Sequence, residues 1–186
     1  MQKTKYPVFV TGNAKKVTYI SSWLGIELAH HAIDLNEIQS MDLQEVAEHK
    51  ARKAYEILQK PVLVEDAGLS IQSLGELPGP FVKWFLERMT LQEICSLLPG
   101  DEKRSARASV CYCYFDGQDV HFFEGYVDGV ITEVPRVQNG MGFDPIFQPN
   151  TANKTFSEMN ADEIEIHSVR VSKIFPELRK FLTRLE

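Results

Sequence analysis

The sequence is poor in several features that would place a protein in a special class. No apolar run approaches the ~20 residues needed to cross a bilayer, and the first residues, Met1 to Pro7, have no signal-peptide core behind them. The three cysteines (Cys95, Cys111 and Cys113) lack the spacing of a zinc site. We therefore expect buried core thiols in a cytoplasmic protein that does not associate with membranes.

A surplus of positive charge is also missing, because the formal net charge is −6. Proteins that follow DNA or RNA present a basic surface, so we expect no nucleic acid polymer as a partner. A small anionic substrate stays possible, since a few lysines and a metal ion suffice to hold one. The 186 residues show no repeat, low-complexity tract or long linker, which predicts a single domain over residues 1–186.

The hydrophobic pattern predicts alternating strands and helices in the first half of the chain. The predicted strands are residues 8–11, 26–33 and 62–64, and the predicted helices are residues 16–24, 42–58, 81–89 and 90–98. Asp42, with Glu45 three residues later, has the pattern of a helix start, and Thr90 with Glu93 repeats it.

The second half turns to β character. Residues 106–115 and 120–127 flank Asp116 and Gly117, which together are a hairpin signal. A third strand is expected at 129–134. Residues 171–185 carry an apolar stripe at helical spacing, with a kink or restart at Pro176. These patterns predict an α/β fold with a mixed sheet and helices on both faces.

The most informative stretch is the apolar strand 62–64, which runs directly into Glu65 and Asp66. Strand ends in α/β proteins lie at the rim of the sheet, where ligands bind. Carboxylates there can hold a divalent cation or position a water, and they can equally do no more than solvate a strand end. Glu37, after the second predicted strand, is either a third carboxylate at this rim or an ordinary loop residue.

Two basic segments are candidates for contact with an anion. Thr11 to Lys16 forms a strand–turn–helix junction whose backbone N–H groups and helix N-terminus suit a phosphate. It is not the common phosphate loop of nucleotide-binding proteins, and a capped helix with solvated lysines explains it equally well. Lys50 shares a helix face with alanines, so it either extends to solvent or meets an anion.

A glycine-rich loop at residues 140–147 contains Phe143 followed by Asp144. The pattern predicts a tight loop that exposes one ring and one carboxylate, a pair able to stack on a base and accept a hydrogen bond from its edge. A purely structural turn is the other interpretation. No Cys/His or Ser/His arrangement supports a covalent nucleophile.

In order and spacing these segments resemble the inosine/xanthosine triphosphate pyrophosphatases, a family that removes non-standard purine nucleotides from the precursor pool. The matching segments are Thr11 to Lys16, Leu35 to Glu37, Lys50 to Ala54, Val64 to Leu69, Leu77 to Pro80, Gly142 to Pro145 and Thr155 to Met159. The resemblance implies an elongated mixed β-sheet flanked by helices, with two lobes around a central cleft, usually as a homodimer.

The resemblance also implies a reaction, namely hydrolysis of a nucleoside triphosphate to a monophosphate and pyrophosphate. It implies that Asp66 activates water, that Lys16 and Lys50 assist catalysis, and that Mg²⁺ is bound. The implied metal ligands are Glu37 and Asp66, with Glu65 beside them. The implied substrate-binding residues are Thr11, Gly12, Asn13, Lys16, Ala67, Gly142, Phe143, Asp144, Ser168 and Arg170.

The sequence departs from the family on the side that binds the base. The family's tail reads Glu-Lys-Asn-x-x-Ser-His-Arg, and residues 163–170 keep only its glutamate, serine and arginine. The replacements are Ile164 for lysine, Glu165 for asparagine, Val169 for histidine, Met141 for an aromatic in the base loop and Tyr19 for a glutamate in the first helix. We expect preserved pyrophosphatase chemistry with a relaxed or shifted preference for 6-oxo purines. The alternative is a nucleotide-binding homologue with little or no turnover.

Overall fold

The computed structural model describes residues 6–100, 103–137 and 140–185, and these form a mixed α/β fold, as predicted. The strands are β1 (Val8–Val10), β2 (His30–His31), β3 (Val62–Ile71), β4 (Pro78–Gly79), β5 (Ser105–Phe115), β6 (Val120–Ile131) and β7 (Phe147–Pro149). The α-helices are α1 (Ala14–Leu24), α2 (Leu43–Leu58), α3 (Val82–Arg88), α4 (Leu91–Ser96), α5 (Ala161–His167) and α6 (Phe175–Leu182).

The strands of the described chain form one sheet in the order β2-β1-β3-β5-β6-β7, and β4 pairs with β3 outside this path. Strand β1 runs parallel to both β2 and β3. The predicted strand 26–33 is too long, because only His30 and His31 pair with β1. Ile26 and Leu28 are apolar because they are buried in the core, without belonging to a strand.

The helix boundaries predicted from capping residues are largely confirmed. Asp42 is the N-cap of α2, with its side chain accepting a hydrogen bond from the backbone N–H of Gln44. Thr90 and Glu93 form a complete capping box at the start of α4. The predicted restart at Pro176 is also confirmed, since a π-helical turn at Arg170–Ile174 leads into α6, which has this proline in its first turn.

Strand β3 is longer than predicted. It continues through Glu65 and Asp66 to Ile71, so the two carboxylates lie within the strand and not at its end. Its parallel neighbour β1 stops where Val10 pairs with Val64. Glu65 and Asp66 therefore emerge just past the carboxyl end of β1, which still places them at an edge where ligands bind in α/β sheets.

The predicted third strand at 129–134 is wrong, because β6 runs without interruption to Ile131. Gly129 is not a break between strands. It pairs with Pro149 of β7, and a side chain there would collide with the backbone oxygen of Gln148 and the ring of Phe147. The glycine permits close approach of β7 to β6, which is a common reason for glycine within a strand.

The chain divides into two compact units. The first comprises the chain up to Asp66, Val110–Gly125 and the residues from Lys173 onward, and the second comprises Ala67–Ser109 and Tyr126–Ser172. The core of the first unit packs the alanine face of α2 against β1, β3 and β5 and includes Cys111 and Cys113. The core of the second unit includes Cys95. All three cysteines are free and buried, as predicted.

Within the described residues, no helix is both long and apolar enough to span a membrane.

Candidate active site

The segment after β1 forms a small hydrogen-bonded turn at the start of α1. The Oγ1 of Thr11 accepts a hydrogen bond from the backbone N–H of Asn13 at 3.1 Å, and the Asn13 side chain caps α1 by accepting from the backbone N–H of Lys15 at 3.0 Å. The Nε2 of His30 donates to the carbonyl oxygen of Thr11 at 2.7 Å. These bonds hold the turn in a defined shape and leave the helix N-terminus, with its partial positive charge, at the surface.

Gly12 in this turn has no packing role that requires a glycine. A Cβ atom at this position would meet nothing within 4 Å, and the backbone is not in the left-handed region. The space above Gly12 is therefore open to a ligand, which suits a loop whose backbone approaches a phosphate.

The second part of the site is an ionic cluster around Lys50. Its Nζ lies 2.6 Å from Oδ2 of Asp66 and 3.1 Å from Oε1 of Glu37, and the side chains of Lys50 and Asp66 are 14% and 12% exposed. Ala47, on the same helix, packs into the core and directs this face of α2 toward the sheet. Of the two interpretations of Lys50, the structure supports the one in which it meets anions. Both anions are carboxylates of the protein itself, those of Glu37 and Asp66.

Burial and the three charges shift the pKa values in this cluster. Burial lowers the pKa of Lys50, but the carboxylates of Asp66 and Glu37 outweigh it and raise the pKa above the ordinary value, so the ammonium stays charged. Burial raises the pKa of Asp66, against the opposing effect of Lys50 and with a further contribution from Glu37. Burial is the largest of these effects, so the pKa of Asp66 is raised and it holds a proton more readily than an ordinary aspartate.

The donor set fits a magnesium ion that binds together with a nucleotide. Among the residues that the structure describes, no group of three His, Cys, Asp or Glu side chains is placed to hold a metal. Mg²⁺ is usually bound by only one or two carboxylates, and substrate phosphates and waters complete its coordination. Glu37 and Asp66, which contact the same nitrogen, supply such a pair.

Glu65 contacts a different lysine. Its Oε1 lies 3.3 Å from Nζ of Lys16, and its Oε2 accepts a hydrogen bond from the Tyr112 hydroxyl at 3.1 Å. The reason is the alternation of a strand, which directs neighbouring side chains to opposite faces. From the sequence we expect Glu65 beside Asp66 as a metal ligand because the predicted strand ends before both residues. The strand continues through them, and its alternation directs the two side chains to opposite faces.

The loop at 140–147 belongs to the second unit and is a structural turn. Phe143 is only 9% exposed and packs edge-on against Phe147, with 6.2 Å between ring centroids. Asp144 Oδ2 accepts a hydrogen bond from the backbone N–H of Met141 at 2.7 Å, and Gly142 has the positive φ that the turn requires. The prediction that this loop exposes the Phe143 ring is wrong, because the ring is part of the core.

The remaining predicted substrate-binding residues also lie in the second unit. Ala67 continues β3 directly after Asp66, and Ser168 is buried at the C-terminal end of α5, where its backbone N–H donates to the carbonyl of Ile164 at 2.9 Å. Arg170 begins the π-helical turn that precedes α6. These positions share the second unit with the 140–147 loop.

A model of the Ham1 family matches residues 7–176, nearly the whole chain. The chain belongs to the Ham1 family. It is 42% identical over 158 residues to inosine triphosphate pyrophosphatase 2 of Trypanosoma cruzi, with 83% of this chain and 81% of that protein covered. It is 37% identical over 163 residues to the dITP/XTP pyrophosphatase of Saccharolobus solfataricus, covering 88% and 84%. The structure of a HAM1 protein from Coxiella burnetii is similar, with a TM-score of 0.81, 26% identity and coverage of 95% and 98%.

Two residues of this Ham1 protein's site were missed by sequence reasoning. Tyr112 contacts Glu65 from a position 47 residues away, and His30 holds the Thr11 turn from β2. The alternation along β5 places Tyr112 on the face opposite Cys111 and Cys113. That pattern identifies its face, but no local signal pairs it with a particular carboxylate.

Proposed function

We propose that this Ham1-family chain is a nucleoside triphosphate pyrophosphatase, which hydrolyses ITP, dITP or XTP to a monophosphate and pyrophosphate. The relatives named for these activities match over four fifths of the chain or more. The observation that carries the proposal is the convergence of Glu37 and Asp66 on Lys50. These residues lie beside the strand end from which the Thr11 turn departs, so carboxylates, lysines and a helix N-terminus meet in one unit.

In the proposed reaction the triphosphate binds to the turn before α1. Thr11, Gly12 and Asn13 contribute backbone N–H groups and short polar side chains, and Lys16 adds a charge in the first turn of the helix. This placement holds the phosphate chain against the carboxyl end of β1, beside Glu65 and Asp66 of β3. Positioning and electrostatic stabilisation supply most of the catalysis in phosphoryl transfer.

Asp66 and Lys50 act on the reacting groups. Asp66 orients and activates the attacking water. Lys50 is held between two carboxylates, from which it can turn to the negative charge that develops on the phosphoryl oxygens.

We propose Mg²⁺ as the cofactor, held by Glu37 and Asp66 together with substrate phosphates. When bound, the ion neutralises phosphate charge and orients the phosphate chain. The support is the shared position of the two carboxylates on Lys50, which brings two oxygen donors to one place.

We propose that the base is held by residues of the second unit, namely Ala67, Gly142, Asp144, Ser168 and Arg170, with the buried Phe143 supporting the 140–147 loop from the core. Ile164, Val169 and Met141 stand where the family has polar or aromatic residues, so discrimination among bases is expected to be weaker or shifted. Each lost hydrogen bond to a base edge reduces discrimination by about 1–3 kcal/mol if it is buried.

We further propose that both units form one nucleotide pyrophosphatase domain over residues 1–186 and that the protein is a cytoplasmic homodimer. Three buried free thiols are in keeping with a reducing compartment. Leu77 and Trp84 are about half exposed, at 46% and 50%, and offer apolar surface for a second copy. Light scattering after size-exclusion chromatography tests the dimer, and a monomer at micromolar concentration would contradict it.

A pyrophosphate-release assay tests the central proposal. The purified protein is given ITP, XTP, dITP and the common triphosphates, with and without Mg²⁺. We expect release that depends on Mg²⁺ and is abolished by Asp66→Asn. The matched control is Asp119→Asn in the exposed β5–β6 turn, which should keep full activity. Tight nucleotide binding without release would instead identify a binding protein, and a sharp preference for ITP would contradict the relaxed base preference.

A further inference from the structure

A buried chain of polar groups leads from β5 to the phosphate-binding turn. The hydroxyl of Tyr112 donates to Oε2 of Glu65 at 3.1 Å, and the other oxygen, Oε1, lies 3.3 Å from Nζ of Lys16. The Glu65 side chain is 4% exposed and Tyr112 is 1% exposed, whereas the Lys16 side chain is 28% exposed. The buried end of the chain is therefore fixed, and the lysine end reaches solvent.

Aromatic side chains enclose the buried end. The ring of Phe175 packs edge-on against Tyr112 at 5.8 Å between centroids, and it also packs against Tyr19 of α1 at 5.9 Å. Tyr19 and Lys16 lie on the same helix, three positions apart, and therefore share a face of it. An apolar wall beside a charged pair lowers the local dielectric and strengthens the interactions within the chain.

We propose that Tyr112 is a positioning residue for the pyrophosphatase reaction, acting through Glu65 to direct the Lys16 ammonium toward the triphosphate; this inference rests on the proposed function. The hydroxyl holds Oε2 of Glu65, and Oε1 faces the lysine. The Tyr112 hydroxyl also stabilises the negative charge of Glu65 by donating a hydrogen bond to it. Because Glu65 then attracts Lys16 less strongly, the ammonium stays more available to a phosphate.

Without the hydroxyl, two things change at Lys16. The carboxylate of Glu65 loses the hydrogen bond from Tyr112 and can change its orientation, so the direction of the Lys16 ammonium is less well defined. The Glu65 carboxylate then attracts Lys16 more strongly. It competes with the phosphate for the Lys16 ammonium. Hydrogen bonds to charged groups are stronger than neutral ones, so deletion of one is expected to have a measurable effect.

The first experiment compares Tyr112→Phe with Tyr114→Phe. Both residues are buried on the same strand and face the same way, but Tyr114 packs against His121 and Phe181, away from Glu65. We expect Tyr112→Phe to lower kcat/KM on the order of tenfold, chiefly through a raised KM, while both variants remain folded at the assay temperature in thermal melts. Equal kinetics for the two variants would overturn the inference.

The second experiment is a double-mutant cycle with Lys16→Met. If Tyr112 acts through Lys16, adding Tyr112→Phe to Lys16→Met should cause little further loss of activity. Independent effects that multiply would overturn the inference, because a merely structural tyrosine would weaken both backgrounds equally.

Binding of inorganic tripolyphosphate, measured by calorimetry, separates this inference from the proposed function. If the wild type releases no pyrophosphate from any nucleotide, the proposed function fails, but the binding comparison still applies. Weaker binding to Tyr112→Phe than to Tyr114→Phe supports the positioning role, and equal binding overturns it.

Discussion

Asp66 and Lys50 lie 16 positions apart in the chain, and their charged atoms are 2.6 Å apart. The aspartate comes from the middle of β3 and the lysine from the middle of α2. Glu37 contacts the same ammonium at 3.1 Å. Two carboxylates and one lysine therefore form a compact cluster in which the lysine balances the charge that a metal ion would otherwise balance.

Replacement of Lys50 by Met is expected to separate metal binding from catalysis. Two neighbouring carboxylates without their lysine repel each other, so the variant should lose about 3 kcal/mol of folding free energy without a divalent ion. The same change should strengthen Mn²⁺ binding several-fold, because the competing ammonium is gone, and should greatly reduce activity. Electron paramagnetic resonance of free Mn²⁺ measures the binding without nucleotide.

The matched control for Lys50 is Lys53→Met on the same helix, where the lysine pairs with Glu56 and is 47% exposed. Surface pairs contribute little to stability, so this variant should resemble the wild type. Unchanged Mn²⁺ affinity in Lys50→Met would contradict the proposed metal site between Glu37 and Asp66.

Substitution of Gly12 by Ala should affect activity without affecting stability. The added methyl group meets no protein atom within 4 Å, so the melting temperature should hold or rise slightly. It projects into the space where we propose that a phosphate binds, so kcat/KM should fall on the order of tenfold or more. Gly129→Ala is the contrasting variant, since a Cβ there collides with the backbone of Gln148 and should cost about 1–3 kcal/mol. Full activity of Gly12→Ala would contradict the proposal that this turn binds the substrate.

The stability of the protein should fall at alkaline pH because of its buried thiols. Burial raises the pKa of Cys113 to about 12 and raises that of Cys111 as well. In the unfolded chain a thiol ionises near pH 8.5, so the stabilising effect is complete below that pH and is lost as pH rises toward 12. The expected slope is about 1.4 kcal/mol per pH unit for each thiol. Urea unfolding between pH 7.5 and 10.5 measures it, and a Cys113→Ala variant with an unchanged slope would refute it.

Phe143 should behave as a core residue. Because it is 9% exposed and packs against Phe147, Phe143→Ala is expected to cost about 3–5 kcal/mol of folding free energy. Phe143→Leu should be milder and should leave kcat/KM for every nucleotide close to the wild-type value. A ring that stacks on the base would give the opposite pattern, with normal stability and reduced kcat/KM for every nucleotide tested. Thermal melts and the substrate panel distinguish the two.

Local signals in the sequence predicted much of the fold. The N-caps at Asp42 and Thr90 and the restart at Pro176 were correct because capping and proline geometry depend on neighbouring residues alone. Strand lengths were less accurate. The extent of β3 and the continuity of β6 through Gly129 depend on partner strands, which the sequence does not identify.

Periodicity and ordered motifs are properties of the chain, so the sequence was enough to predict the α/β class, the chemistry of the residue types and the resemblance to a pyrophosphatase family. Which charged groups meet depends on the packing of distant segments. Adjacent Glu65 and Asp66 contact different lysines because a strand alternates its faces, and Phe143 is buried because the core of its unit closes around it. The register and packing of distant segments create these contacts, and local sequence patterns do not predict them.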